Sequence, residues 1–207
     1  MNTQAYPSEV LKKFLAENED AQQKVNGVQM ILSTIGRRGY PSSRVVRLRD
    51  VTEKGLVFYT FYNSNKSLEL EKNPKTSAVV YFPQNSNMIR IQGNAEKLSD
   101  QENDIIYDQL PERFKEMFAN SYEKPGQQID FDKYIEDMAK LEVEQKENKS
   151  PKIYKRPAET GGWVIKPNYI LFYEPLDIPE AKGMRKVVEY KLNEETNTWN
   201  SAIVTPQ

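Results

Sequence analysis

The sequence contains neither cysteine nor histidine. Without cysteine, the chain has no disulfide, no thiol nucleophile and no thiolate metal ligand. Without histidine, it also lacks the Ser-His-Asp hydrolytic arrangement, histidine-bound zinc and the side chain that most often transfers protons near neutral pH. Acidic pairs therefore have no partner for a transition-metal site, and we predict no bound metal. Any chemistry must come from a bound cofactor or from lysine, tyrosine and carboxylate side chains.

Long apolar runs and an excess of charge of either sign are also missing. No stretch approaches the roughly 18–20 apolar residues of a membrane-spanning helix, so we predict no membrane association. The 29 basic and 30 acidic residues nearly cancel, which argues against nucleic acid binding through a strongly basic surface. The N-terminal segment lacks the basic start and apolar centre of a signal peptide, and we expect a cytoplasmic protein.

Apolar patterning predicts a sheet protein with helices inserted late in the chain. A short amphipathic helix near the N-terminus should begin at Ser8 as its N-cap. Strands are predicted at 28–35, 43–51, 54–62, 76–82, 87–98, 163–175, 185–192 and 198–206. Helical spacing dominates between about 100 and 148. Short antiparallel connections, without G-x-G-x-x-G after any strand, favour one α+β domain over residues 1–207 whose sheet closes into a barrel.

Basic and hydroxyl side chains are concentrated in SSRVVRLRDVTEKGLVFYTFYNSNKSLELEKNP, residues 42–74. Because residues i and i+2 share a strand face, Arg44 and Arg49 lie on opposite faces unless a bulge or barrel curvature re-aims one of them. On spacing alone they are solvated side chains of an edge strand. Ser64 and Lys66 open a helix, where free N–H groups and the helix dipole favour an anion. The two side chains can form a phosphate cradle, and N-capping explains Ser64 equally well.

The same segment resembles the flavin-binding pattern of the pyridoxamine 5'-phosphate oxidase family. That pattern, Arg-x-(Val/Leu)-x-Leu-(Lys/Arg), then D-x-x-G-(F/L)-x-F-Y-T and S-x-K-x-x-(E/Q)-(I/L)-x-x-N-P, is matched without insertion over the 31 residues 44–74. Members of the family are dimeric split β-barrels that bind FMN. The resemblance implies an α+β fold built on an antiparallel split β-barrel with flanking helices and a helical insertion at about 100–148. It also implies a homodimer with FMN sites at the subunit interface.

Within the 42–74 segment, the resemblance assigns the cofactor contacts position by position. Arg44 and Lys66 would hold the FMN phosphate, with Ser64 near it. Tyr59 and Thr60 would line the isoalloxazine ring and the ribityl chain. The strand-borne arginine would thus be explained by a flavin phosphate lying across the barrel.

Further cofactor contacts are implied elsewhere in the chain. Arg49 would lie by the edge of the flavin ring, where the family has Lys or Arg. Gln127 or Gln128 would match a glutamine that reaches across the dimer to the partner's flavin. Tyr173 stands where the family commonly has a tryptophan beside the flavin, and Arg185 would match the arginine of the C-terminal loop. The resemblance identifies no catalytic side chain.

The family's substrate-binding features are largely absent. Its Arg-Leu-His-Asp-Arg run appears here as EAKGMRK, in which only Arg185 is retained. The Tyr-x-x-x-Arg-Pro pattern that grips the substrate phosphate has Leu110 at the arginine position. Met88 replaces a usual flavin-contacting glutamine, and Asn65 replaces a usual arginine. The FMN half of the site is therefore kept, whereas the vitamin half is changed.

These features lead us to expect an FMN-dependent oxidase. Its substrate would be pyridoxamine or pyridoxine 5'-phosphate, or a related small molecule, oxidised with O2. One alternative is an oxidase for phenazine-type aromatics, and another is a flavin or vitamer binding protein without turnover. A β-barrel interaction module without flavin is a third alternative, which a colourless protein purified with added FMN would favour.

Overall fold

The structure, a computed structural model, describes residues 2–3, 6–20, 23, 27–120, 130–147, 154–176 and 178–206. In these ranges the strands are β1 (Asn2–Thr3), β2 (Gln29–Ile35), β3 (Pro41–Thr52), β4 (Gly55–Phe61), β5 (Lys75–Phe82), β6 (Asn87–Lys97), β7 (Thr160–Pro175), β8 (Arg185–Asn193) and β9 (Thr198–Val204). The helices are α1 (Ser8–Asn18), α2 (Asn65–Lys72), α3 (Asp100–Gln109), α4 (Glu112–Asn120) and α5 (Phe131–Glu147), with a 3-10 turn at Pro179–Ala181.

The strands form an antiparallel barrel, which confirms the predicted fold class. Six strands follow one another in the order β7-β4-β3-β2-β5-β6, and pairing of β6 with β7 closes the ring. The first part of β7 pairs with β4 and its second part pairs with β8, so the barrel is split along β7. From there β8, β9 and β1 continue the sheet outside the closed ring.

An irregularity in the pairing of β6 with β7 lies close to this split. The register between the two strands shifts between Gln92 and Gly93. A side chain at Gly93 would clash with the backbone carbonyl of Lys166, so only glycine permits the close approach of the two strands.

The barrel interior is filled by the inward-facing side chains of all six strands. These include Met30, Leu32, Leu56, Phe58, Val80, Phe82, Ile89, Ile165 and Ile170, none more than 1% exposed. Helix α1 closes one end, where the ring centroids of Phe14 and Phe172 lie 5.0 Å apart. Because burying such a side chain stabilises the fold by about 1.5–3 kcal/mol, this interior fixes which face of each strand points inward.

Two helix boundaries differ from the sequence-based expectation. Pro7, not Ser8, is the N-cap of α1, and the Ser8 hydroxyl instead donates to Glu53 Oε1 at 2.9 Å. The helical segment after Ser99 is broken at Leu110–Pro111, because proline disfavours the helical conformation of the residue before it and offers no N–H. None of the helices in the described ranges is long and apolar enough to cross a lipid bilayer.

Candidate functional site

The entrance to α2 presents a hydroxyl group rather than a capped helix end. Ser64 occupies the N-cap position with extended backbone angles, but its side chain makes no capping hydrogen bond. Its hydroxyl donates to the carbonyl of Phe61 at 2.7 Å and accepts from Lys66 Nζ at 3.2 Å. The interpretation of Ser64 as a side-chain N-cap is therefore wrong, and its hydroxyl faces Lys66.

Lys66 holds a partly buried ammonium among hydroxyl groups. Its Nζ also donates to Thr60 Oγ1 at 2.8 Å, and Thr60 is only 6% exposed on β4. Among the described residues, no carboxylate forms an ion pair with this ammonium. Burial lowers the pKa of Lys66, the nearby charge of Arg44 lowers it further, and Glu69 acts in the opposite direction. An anion placed here would therefore stabilise the ammonium.

Arg44 joins β3 to β2 and to α2. Its guanidinium donates to Glu69 Oε2 at 2.7 Å and to Thr34 Oγ1 at 2.5 Å, and it reaches the hydroxyl of Ser42 at 2.8 Å. The Glu69 side chain is 8% exposed and the Arg44 side chain 20%. The expectation of a solvated strand residue is thus wrong for Arg44, which faces inward like Val46 two residues later.

A groove lies beside this ion pair. It measures about 460 Å³ and is lined by Gly36, Arg37, Arg38, Tyr40, Pro41, Ser42, Asn65 and Glu69. The hairpin turn between β2 and β3 supplies its two exposed arginines, and the first residue of α2 forms part of its wall. Four predicted residues, Arg44, Thr60, Ser64 and Lys66, thereby come together at one place.

Tyr59 lies on the other face of β4, beneath α3 and α4. Its hydroxyl is 3.2 Å from Thr160 Oγ1, and its ring packs against Tyr107 and Phe118. Burial raises the pKa of Tyr59 to about 12. The structure therefore places this tyrosine in a helix–sheet core, and its contact with a flavin stays a prediction.

Arg49 lies at a β-bulge. The register between β3 and β4 shifts between Leu48 and Asp50, which leaves Arg49 as the extra residue. Its guanidinium carbon lies 4.3 Å from the centroid of the Phe114 ring. The bulge does not bring Arg49 to the face of Arg44, and the hydrogen bonds of Arg44 within the described residues do not include Arg49.

Tyr173 and Arg185 lie at the far end of β7 and the start of β8. The Tyr173 side chain is buried and its hydroxyl accepts from Arg90 Nη1 at 3.3 Å. Arg185 donates to the carbonyl of Ser86 at 3.5 Å. Within the described residues, neither side chain hydrogen-bonds to the Arg44–Lys66 group. Gln127 and Gln128 lie outside the described residues.

Sequence reasoning missed the residues that hold Arg44 in place. Glu69 occupies the (E/Q) position of the flavin-binding pattern, so the resemblance contained a signal for it. Thr34 and Ser42 face each other across the β2–β3 ladder, and only the strand register brings them to the guanidinium.

The closed split barrel thus carries a cationic, hydroxyl-lined helix entrance on its wall, and the chemistry of these groups suits an anion. Residues 19–145, more than half of the chain, match the family model described as pyridoxamine 5'-phosphate oxidase. Over 155 residues the chain is 32% identical to a pyridoxine/pyridoxamine 5'-phosphate oxidase of Legionella pneumophila (strain Lens), covering 75% of this chain and 70% of that protein. The chain belongs to the pyridoxamine 5'-phosphate oxidase family.

Two solved structures share the fold over nearly the whole chain. PhzG from Burkholderia lata 383, solved with tetrahydrophenazine-1-carboxylic acid, superposes with a TM-score of 0.76 at 21% identity and covers 98% of this chain and 93% of its own. A pyridoxamine 5'-phosphate oxidase-related, FMN-binding protein from Nostoc punctiforme PCC 73102 gives a TM-score of 0.72 at 17% identity, with 96% of both chains covered. At these identities the likeness establishes the fold alone.

Proposed function

We propose that this protein is an FMN-dependent oxidoreductase that oxidises pyridoxamine or pyridoxine 5'-phosphate, or a related small molecule, with O2. The observation that carries the proposal is the Lys66 ammonium at the start of α2, held by the hydroxyls of Thr60 and Ser64 beside Arg44. Membership of the family and the fold shared with an FMN-binding protein support the same cofactor.

The donor groups at this place fit a phosphate. An ammonium has three N–H donors, and the two hydrogen bonds of Lys66 to hydroxyls leave one for a phosphate oxygen. Arg44 is different, because both of its terminal nitrogens already donate to protein groups. We infer that Lys66 and the N-terminal end of α2 would contact the phosphate directly, whereas Arg44 supplies positive charge and holds Glu69 away from the lysine.

Bound FMN would supply the hydride acceptor, with O2 as the final oxidant and hydrogen peroxide as the product. The side chains of this chain need only bind, orient and shield the reactants. The lack of histidine and cysteine is therefore compatible with the proposed reaction.

We further propose a homodimer with the FMN sites at the subunit interface. Val45 of β3 and Ile31 of β2 are paired across the ladder on the outer face of the barrel, and their side chains are 59% and 45% exposed. Tyr81 of β5, 46% exposed, adds a third large apolar side chain. A second copy covering this face would bury apolar surface that a lone chain leaves in water. Such a partner would also supply the Tyr173 and Arg185 that one chain keeps apart from Lys66.

A flavin or vitamer binding protein without turnover is the second candidate. Leu110, at the position of the family's substrate-phosphate arginine, is 6% exposed and packs with Tyr59, Tyr107 and Phe118. The side chain at this position therefore cannot bind a substrate phosphate. Oxidation of a phenazine-type aromatic is a third candidate, favoured by the fold shared with PhzG, which was solved with such a ligand.

A peroxide assay separates these candidates. The FMN-loaded protein is mixed with pyridoxamine 5'-phosphate, pyridoxine 5'-phosphate or a reduced phenazine carboxylic acid in air, and hydrogen peroxide is measured. Saturable peroxide release with one substrate class would identify the oxidase. Tightly bound FMN without peroxide formation from any of these substrates would favour the binding protein. The assay also includes the variant Lys66→Gln, and Lys72→Gln at the other end of α2 is its matched control.

A further inference from the structure

The groove beside the Arg44–Glu69 ion pair adjoins the place assigned to the cofactor phosphate. Asn65, the first residue of α2, forms part of its wall, and Lys66 is the next residue of that helix. The Asn65 side chain is shorter than the arginine usual at this position in the family, which leaves room between Lys66 and the groove. Ser42 and Glu69 also line the groove, and both accept from Arg44 Nη2, at 2.8 and 2.7 Å. A ligand that extends beyond a phosphate held at Lys66 would therefore enter this groove.

Two guanidinium groups line the groove without a partner. Arg37 and Arg38 lie in the turn between β2 and β3, and Gly39 follows them with φ +81°, the left-handed conformation that ends a three-residue hairpin loop. Both arginine side chains are exposed, and within the described residues neither forms a hydrogen bond or an ion pair. Among the described residues that line the groove, the one acid is Glu69, which is paired with Arg44. The groove therefore keeps two positive charges that suit an anion.

Two further groups in the groove fit the other parts of a nucleotide. Tyr40 follows the turn and is 72% exposed, and such a ring is a surface on which a base stacks. Glu69 accepts from Arg44 and Thr34 with Oε2 alone, so within the described residues Oε1 is left to accept from a hydroxyl. The groove volume of about 460 Å³ falls within the roughly 300–1,000 Å³ of small-molecule sites. FMN, which ends at its phosphate, would leave these groups unused.

We propose that the cofactor site accepts FAD as well as FMN, with the AMP half of the dinucleotide in this groove, an assignment that rests on the proposed function. In FAD the flavin phosphate is joined to a second phosphate, which carries a ribose and adenine. The first phosphate stays at Lys66 and the start of α2, and the second pairs with Arg37 and Arg38. Adenine stacks on Tyr40, and a ribose hydroxyl donates to Glu69 Oε1.

Equilibrium dialysis of the protein against FMN and, separately, against FAD tests this assignment, with bound flavin measured by its absorption. The wild type should bind FAD at least as tightly as FMN. Arg37→Gln/Arg38→Gln should weaken FAD binding about tenfold or more, because charge-assisted hydrogen bonds to the second phosphate are lost. FMN binding at about 0.15 M salt should change less than about threefold, because salt screens exposed charges that do not contact its phosphate. Tyr40→Leu should likewise weaken FAD binding and leave FMN binding unchanged.

The matched control is Lys13→Gln/Lys191→Gln, which removes two charges from exposed lysines outside the groove and should leave both affinities unchanged. Arg37→Lys/Arg38→Lys should retain most of the FAD affinity, and the thermal midpoint of each variant shows that the fold is kept.

Clearly weaker binding of FAD than of FMN, or equal FAD affinity in the wild type and Arg37→Gln/Arg38→Gln, would overturn the proposal and leave the FMN site standing. Equal weakening of both flavins in that variant would place the arginines at the flavin phosphate instead, and would also overturn it. A failure of the proposed function looks different, because Lys66→Gln would then leave the binding of both flavins unchanged. That result would overturn the proposal together with the phosphate site on which it rests.

Discussion

Replacing Lys66 by glutamine should weaken FMN binding about ten- to a hundredfold. The ammonium has one donor left after its hydrogen bonds to Thr60 and Ser64, and that donor would form a charge-assisted hydrogen bond to the phosphate. Such a bond contributes about 1.5–3 kcal/mol, and about 1.4 kcal/mol corresponds to a factor of ten. Glutamine can still hydrogen-bond to the two hydroxyls, so the change removes the charge with little change to the packing.

The same lysine sets the pH dependence of FMN binding. Burial and Arg44 lower the pKa of Lys66 in the FMN-free protein, whereas a bound phosphate stabilises the ammonium and raises it again. FMN affinity should therefore be greatest below this lowered pKa and should fall as the pH rises through it. Lys66→Arg should hold its affinity at alkaline pH, because arginine stays protonated. Lys66→Gln should bind weakly without this alkaline fall.

Both effects are measured by titrating the protein with FMN and following the quenching of FMN fluorescence at a series of pH values from about 6 to about 9.5, all below the ordinary pKa of lysine. Lys72→Gln is the matched control, because Lys72 is an exposed lysine in the last turn of the same helix. Binding of Lys66→Gln within twofold of the wild type would refute the assignment of the phosphate to this lysine. An alkaline fall of the same size in Lys66→Arg would refute the account of its pH dependence.

Three other predictions concern stability and assembly. Arg44→Gln should lower the free energy of unfolding, measured in urea, by about 3 kcal/mol, because it leaves the buried Glu69 carboxylate without its partner. The double variant Arg44→Gln/Glu69→Gln should regain most of that stability without regaining FMN affinity. Equal stability of the two variants would contradict the ion pair. Hydrogen bonds from Lys54 and Ser99 lower the pKa of Glu102 to about 2, so the stabilisation of the fold by this carboxylate is complete above its ordinary pKa and is lost as the pH falls toward 2. The urea midpoint of Glu102→Gln should therefore decrease less between about pH 5 and pH 2 than that of the wild type. Identical profiles would argue against this contribution. In sedimentation velocity the wild type should be the proposed dimer and Val45→Asp/Ile31→Asp a monomer, whereas a dimer unaffected by both changes would exclude this face as the interface.

The barrel was predictable because its strands carry local signals. Largely apolar runs, such as the part of 54–62 between Gly55 and Asn63, favour strands, and each predicted strand overlaps one in the structure. The 42–74 pattern also located α2 and placed Ser64 and Lys66 at its start. These features depend on neighbours in sequence, which is why a single sequence reveals them.

What escaped prediction depends on residues distant in sequence. The partner of Arg44 is Glu69, 25 residues later, and only the packing of α2 beside β2 and β3 brings the two together. Whether β3 contains a bulge at Arg49 depends on its register with β4. The guanidinium carbons of Arg49 and Arg113 lie 4.3 and 4.8 Å from the centroid of the Phe114 ring, and these contacts depend on where α4 begins. No periodicity within either segment encodes these contacts.

The most direct test of the central claim compares FMN with riboflavin, which differ only in the phosphate, in equilibrium dialysis against the wild-type protein. FMN should bind at least about a hundredfold more tightly, since a dianionic phosphate would meet Lys66, Arg44 and the N-terminal end of α2. Equal affinity for the two flavins, or no binding of FMN, would contradict the assignment of this site.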